Sequence, residues 1–232
     1  PDTTSDDIAP EIGTPPLGPH IAPIGAEDLT FATGPYVMHS TQTTVSLAWE
    51  TEAAGDTRLE YGADATYGME ATRPEGTLHR IALTDLKPST LYHYRACTAD
   101  ACTADLTFVT APLPGQPFRF VVYGDSRSDP PQHRAVVDTI IESMPSLVLH
   151  TGDIVEHGAE RDQYRTMHFD PTRQLGHHVP IYVAIGNHEW KDLDSDVQNF
   201  RDYLVYPKDA AAPHPGLNYT VTYGDAFFLV MD

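Results

Sequence analysis

Three apolar runs, each closing on glycine followed by a polar side chain, constrain this chain more than any other feature. They are FRFVVYGD (118–125), SLVLHTGD (146–153) and VPIYVAIGNHE (179–189). Between the first two, PQHRAVVDTIIESMP (131–145) sets Val136, Val137, Ile140, Ile141 and Met144 at helical spacing. Between the second and third, GAERDQYRTMHF (158–169) reads as a helix stopped by Pro171. Strand, helix, strand, helix, strand with near-continuous apolar strands predicts a buried parallel sheet. Further on, YTVTYG (219–224) and AFFLVMD (226–232) read as a hairpin joining or flanking that sheet.

In open α/β sheets the ligand crevice lies beyond the carboxyl ends of the strands. Asp125, Asp153 and Asn187 stand at those ends, behind Gly124, Gly152 and Gly186. A single Gly-Asp after a strand means little, because aspartate often caps a turn. Three consecutive strand ends of this form point to a site. Carboxylate and amide oxygens suit hard divalent cations, and one aspartate has two oxygens with which to bridge a pair of ions.

The preceding stretch has another pattern. TVSLAWE (44–50) alternates, with Val45, Leu47 and Trp49 on one face, and TRLEYG (57–62) puts Leu59 and Tyr61 together. LHRIALTDL (78–86), LYHYRAC (91–97) and ADLTFVT (104–110) are further strands. Short strands divided by turn signals predict an all-β sandwich over 34–112, whose aromatics serve packing. TAPLPGQPF (110–118) is a Pro-rich joint, so the second domain is expected over 113–232. Residues 1–33 read as a Pro-rich linker or extended arm.

Charge excludes some partners. Fourteen Lys and Arg against 33 Asp and Glu leave a formal charge of −19, which does not invite nucleic acid or an anionic membrane. No apolar run approaches the roughly 20 residues of a membrane span. Cys97 and Cys102 are the only cysteines. They read either as a disulfide across a tight hairpin or as two separate buried thiols. The disulfide reading implies an exported protein, extracellular, periplasmic or on the cell surface.

The order GD, then GDIVEHG, then GNHEW resembles the calcineurin-like metallophosphoesterase superfamily. With the sandwich in front, where LKPSTLYHYR is similar to the tyrosine corner of a fibronectin type III domain, the layout resembles the purple acid phosphatases. The resemblance implies a two-metal hydrolase of phosphate monoesters, with two divalent or trivalent ions drawn from Fe, Zn or Mn. Asp125 would bind the first metal, Asp153 would bridge both, and Asn187 would bind the second. His188 would contact phosphoryl oxygens or protonate the leaving oxygen. Alternatives are a phosphodiesterase or nucleotidase of the same superfamily, or a non-catalytic extracellular binding protein.

Departures from the pattern matter as much. The common D-x-H of the first motif is Asp125-Ser126-Arg127 here, and arginine cannot ligate. Arg127 is expected either to hold the substrate phosphate or to pair with a neighbouring aspartate. Glu156 and His157 read either as a substitute for the missing first-metal ligand or as solvent-facing loop residues. His150 reads as packed or as support for the site. His177 and His178 read as rim residues, and His133 and His168 as helix-surface residues. The family's later histidine segments have no counterpart after Glu189, where His214 is the remaining histidine. The remaining part of the catalytic domain, or a partner chain, is therefore expected to complete the site. In the purple members of the family, colour comes from a tyrosinate on ferric iron, three residues after the bridging aspartate. That position is Glu156. Iron-loaded protein is expected to lack a strong visible charge-transfer band, and an absorption spectrum checks this.

Overall fold

The computed structural model describes residues 31–190, 196–206 and 216–231. Five strands and a two-residue bridge strand form the first part of the molecule. They are β1 (Thr33–Ser40), β2 (Val45–Gly62), β3 (Met69–Leu83), β4 (Leu91–Thr98), β5 (Ala101–Cys102) and β6 (Leu106–Val109). The two segments expected at 44–50 and 57–62 are one long strand, β2, irregular around Gly55. That irregularity lets one strand serve both layers. Val45–Glu50 pairs with β1 and with Leu78–Leu83 of β3, whereas Thr57–Tyr61 pairs with Met69–Arg73 of β3 and Arg58–Gly62 pairs with β4. A three-stranded layer thus faces a four-stranded one, the pairing of a fibronectin type III sandwich. Trp49, Leu47, Leu59, Tyr94 and Phe108 are fully buried between the layers. The indole Nε1 of Trp49 donates to Thr98 Oγ1 at 3.0 Å, so its polar end is satisfied. The Tyr92 hydroxyl accepts from the Lys87 backbone N–H at 3.0 Å, which closes the tyrosine corner. Cys97 and Cys102 sit opposite each other on β4 and β5 and are disulfide-bonded.

The second part begins with β7 (Phe120–Tyr123), α1 (Pro130–Glu142), β8 (Leu147–His150) and β9 (Ile181–Val183). The three strands pair in parallel in the order β7-β8-β9. Asp129 caps α1, its carboxylate accepting from Gln132 N at 3.1 Å, and prolines occupy the first turn, where a missing N–H costs nothing. The sheet is less enclosed than its composition suggests. β8 and β9 are buried, but Phe120 and Val122 on β7 are about half exposed. The hairpin β10 (Tyr219–Tyr223) with β11 (Ala226–Val230) flanks the sheet instead of joining it. Among the described residues, no helix is long and apolar enough to cross a membrane.

Pro171 does not end the helix before it. The segment starts as α2 (Arg161–Gln163), widens into a π-helical stretch at Tyr164–Phe169 and continues as α3 (Asp170–Gly176). The proline falls in the first turn of the last piece, where its absent N–H is tolerated after the change of hydrogen-bond register.

The sandwich and the α/β part share one apolar core, in which Tyr36, Met38 and Ala48 pack with Phe169, Leu175, Tyr182 and Tyr203. Buried polar bonds cross the same surface. Tyr94 Oη donates to His177 O at 2.6 Å, His177 Nδ1 donates to Pro35 O at 2.6 Å, and Tyr36 Oη donates to Tyr203 O at 3.1 Å. His177 and His178 are therefore interface residues and not rim residues. His133 and His168 are also buried, on the inward sides of their helices, where their rings pack with that of His150.

Burial favours the neutral form of His133, His150, His168 and His177. It depresses the pKa of His150 and His177 to about 3, and lowers His133 and His168 as well. The unfolded chain takes up protons at these positions below about pH 6.5, while the folded chain takes them up only at lower pH, near 3 for His150 and His177. Stability is therefore present above pH 6.5 and is lost as pH falls through that window, by about 1 kcal/mol per deeply buried histidine at pH 5.5. Relief of acidic self-repulsion acts in the opposite sense, but only near carboxylate pKa values of about 4. Denaturant midpoints are expected to drop between pH 7.5 and 5.5, and His177→Asn should reduce the slope. A midpoint that stays level would contradict the assignment.

Candidate metal and phosphate site

Parallel pairing of Tyr123 with His150, and of His150 with Val183, brings the ends of β7, β8 and β9 level. The loops that follow are tied to one another by backbone bonds. Asp125 N donates to Gly152 O at 3.0 Å, and Ser126 N and Arg127 N both donate to Asp153 O at 3.1 and 3.2 Å. Asp125 and Asp153 both adopt left-handed backbone, with φ of 54° and 61°. Such conformations in non-glycine residues cost energy and persist only where surrounding bonds enforce them. Gly152 turns at φ +102° with no room for a side chain, since a Cβ there would lie 2.8 Å from Gly186 N. A Cβ on Gly186 would stand 2.2 Å from Asp153 Oδ1, so this glycine is what lets the carboxylate sit against the third loop.

Glu189 enforces the arrangement. Its side chain is fully buried. Oε1 accepts from Ile154 N at 2.7 Å and Val155 N at 3.1 Å, while Oε2 accepts from Asp153 N at 2.9 Å and Gly186 N at 2.7 Å. One carboxylate thus satisfies four backbone donors from two loops. Burial pushes its pKa up, and the four N–H groups pull against that. The sequence reading passed over this residue as part of a motif. Its signal was an acidic side chain inside an otherwise apolar strand-end segment, which demands donors on both oxygens.

His150 supplies a second tie. Its Nδ1 accepts from Gly152 N at 3.2 Å, so its Nε2–H donates to Ser126 Oγ at 2.9 Å. The buried ring joins the first loop to the turn that carries Asp153. His188 lies over the same turn. Its backbone N donates to Asp153 Oδ1 at 3.1 Å, and its Nδ1 donates to Glu156 O at 2.8 Å. Asn187, between these anchored neighbours, is exposed.

Arg127 lies between the two aspartates. Nη1 donates to Asp125 Oδ1 and to Asp153 Oδ2, the latter at 2.8 Å, and Nε stands 3.4 Å from Glu156 Oε2. Nε is buried without a hydrogen-bond partner. Glu156 is engaged elsewhere: Ser128 Oγ donates to it at 2.7 Å, which holds its carboxyl below the usual range. The Asp125 side chain is 74% exposed and that of Asp153 only 17%, so the pair is open on one side. The backbone of His157 bonds to Gln163, and its side chain is exposed. His214 lies outside the described residues.

As a donor set, Asp125, Asp153 and Asn187 offer oxygens suited to hard cations. The position of the guanidinium supports that fit, because the fold already rests a full positive charge across the two carboxylates. Among the described residues, no three His, Cys, Asp or Glu side chains converge as a metal cluster. The two carboxylates meet at Arg127, and Asn187 is exposed on the neighbouring loop.

Residues 118–228 match the family model of the calcineurin-like phosphoesterases. The second half of the chain is thus similar to that family. Acid phosphatase type 7 of Danio rerio is 27% identical over 190 residues, spanning 70% of this chain and 42% of that protein. Among solved structures, PhoD superposes with a TM-score of 0.66 at 16% identity, over 90% of this chain and 52% of that one. A purple acid phosphatase from yellow lupin, Lupinus luteus, gives 0.66 at 16% identity, over 85% and 45%. These two likenesses establish the fold alone. The chain spans about half the length, or less, of the relatives it matches.

Glu189→Ala would leave four buried N–H groups unpaired. We expect a loss of roughly 3 kcal/mol or more in chemical denaturation, with faster amide exchange at 153–155 and 186. Glu189→Gln, which keeps one acceptor oxygen, should lose less. An alanine variant as stable as wild type would mean the four bonds contribute nothing net.

Proposed function

We propose that the protein carrying this sequence is a metal-dependent phosphatase that hydrolyses phosphate monoesters at the ends of β7, β8 and β9. The observation that carries the reading is the pairing of Asp125 and Asp153 across one cationic group, held there by strained backbone. The match to a phosphoesterase family supports the reaction class, and the acid phosphatase relative supports the monoester substrate. Asp125, Asp153 and Asn187 would hold the metal ions, with Asp153 as the bridging ligand. Bound ions of this kind supply a Lewis acid that offsets phosphate charge and acidifies water.

The chain's own groups would do the rest. Arg127 would grip phosphoryl oxygens through its planar fork of donors, which suits a tetrahedral anion better than an ammonium does. His188 is oriented by the bond from its Nδ1 to Glu156 O, and its protonated Nε2 would donate to a phosphoryl or leaving oxygen. Glu189 and His150 would fix the loops without touching substrate. A surface as acidic as this one repels phosphate, so the site must provide positive charge locally, and Arg127 is the cation built into it. The disulfide Cys97–Cys102 supports export to an oxidising compartment.

Hydrolysis of an aryl phosphate with added manganese, zinc or iron is the test. Asp153→Asn is expected to reduce kcat/KM by at least about a hundredfold. His188→Ala should keep its metal content and lower kcat by roughly tenfold to a hundredfold. An Asp153→Asn protein that turns over like wild type would remove the reading.

A further inference from the structure

Arg127 occupies the place where two site carboxylates meet, and this has a consequence for how the site is charged. Asp125 Oδ1 and Asp153 Oδ2 both accept from the same Nη1. A carboxylate oxygen committed to a guanidinium offers less to a metal ion, and two cations this close repel each other. We propose that Arg127 and a divalent cation compete for the Asp125–Asp153 pair. Metal uptake then releases the guanidinium and makes it the phosphate-binding group. Resting on the phosphatase reading above, the proposal adds that the phosphate subsite is assembled by metal binding and is not preformed.

Three features make the side chain the movable part. First, the backbone of this loop is fixed by the bonds from Asp125, Ser126 and Arg127 N–H groups to Gly152 and Asp153, so exchange requires only rotation of the Arg127 side chain. Second, the guanidinium pose leaves Nε buried and unbonded, 3.4 Å from Glu156, so leaving it forfeits no bond there. Third, Asp125 is largely open to solvent, which gives an ion an approach to the pair.

Charge accounting fits the same order of events. With Arg127 in place the Asp125–Asp153 pair carries one positive charge against two negative ones. Exchange for a doubly charged ion neutralises the pair and frees the arginine, so the site gains net positive charge and becomes attractive to a phosphate dianion. Without the metal, the guanidinium is consumed by the carboxylates and phosphate meets an acidic protein.

The experiment is calorimetric titration of metal-stripped protein with manganese(II) alone, followed by inorganic phosphate into metal-free and manganese-loaded samples. The proteins are wild type, Arg127→Met, Arg127→Gln and Asp153→Asn, each checked for native melting. Both arginine variants are expected to bind manganese about tenfold more tightly than wild type. Wild type should bind phosphate measurably only when manganese is present, and both arginine variants should bind it more weakly in the loaded state. Equal or weaker manganese binding by both arginine variants overturns the competition. Phosphate binding by wild type that is the same with and without manganese overturns the coupling. If Asp153→Asn abolishes manganese binding while the arginine variants match wild type, the phosphatase site stands and only the competition fails. If neither wild type nor the arginine variants bind manganese, the metal reading itself fails, and the competition with it.

Discussion

The arrangement at the strand ends depends on a carboxylate that never reaches solvent. Glu189 joins the turn after β8 to the turn after β9 through four backbone donors, and both oxygens are fully used. Each turn contains geometry that would not hold by itself: Asp153 in the left-handed region, Gly152 far into positive φ, and Gly186 pressed against the Asp153 carboxylate. A buried, fully bonded anion is strongly directional, and breaking any part of it leaves unpaired groups in a medium that cannot compensate them. The Asp153 side chain is aimed by that network, and Asp125 is placed by reference to it through the bond to Gly152.

Charge is organised around this frame in an economical way. The chain is strongly acidic, yet the loops at the strand ends hold an arginine in contact with three carboxylates and one histidine whose ring is fixed by a carbonyl. An arginine where the family commonly has a metal-ligating histidine exchanges a neutral donor for a permanent positive charge. That charge lies between Asp125 and Asp153.

Much of this was legible in the sequence, and the failures have physical causes. The runs ending at Asp125, Asp153 and Asn187 announced parallel strands with a crevice at their ends, because few other folds need uninterrupted apolar residues closed by glycine and an acid. The alternation around Trp49 and Tyr92 announced the sandwich, and the spacing of Cys97 and Cys102 allowed the bond that their pairing across β4 and β5 makes. Periodicity could not reveal that β2 runs unbroken past Gly55, since EAAGD carries every mark of a turn and only pairing with β3 overrides it. Nor could it reveal the π-helical widening before Pro171, where one shifted hydrogen-bond register rescues a proline that would otherwise end the helix. The histidines were misjudged for a different reason. A polar residue on a helix or just before a strand is expected to face solvent, but His133, His168 and His177 have apolar, aromatic or carbonyl neighbours and burial favours their neutral form, which makes an imidazole a tolerable interior residue.

The join between sandwich and sheet bears on how the molecule is made. His177 and Arg173 donate to carbonyls of Gly34 and Pro35, at the start of the sandwich, from a helix about 140 residues later in the chain. During synthesis every strand of the sandwich leaves the ribosome before that helix exists. The strand that supplies those carbonyls is thus synthesised before α3, which packs on it. In this chain the sandwich presents the backbone carbonyls on which the last turn of α3 rests.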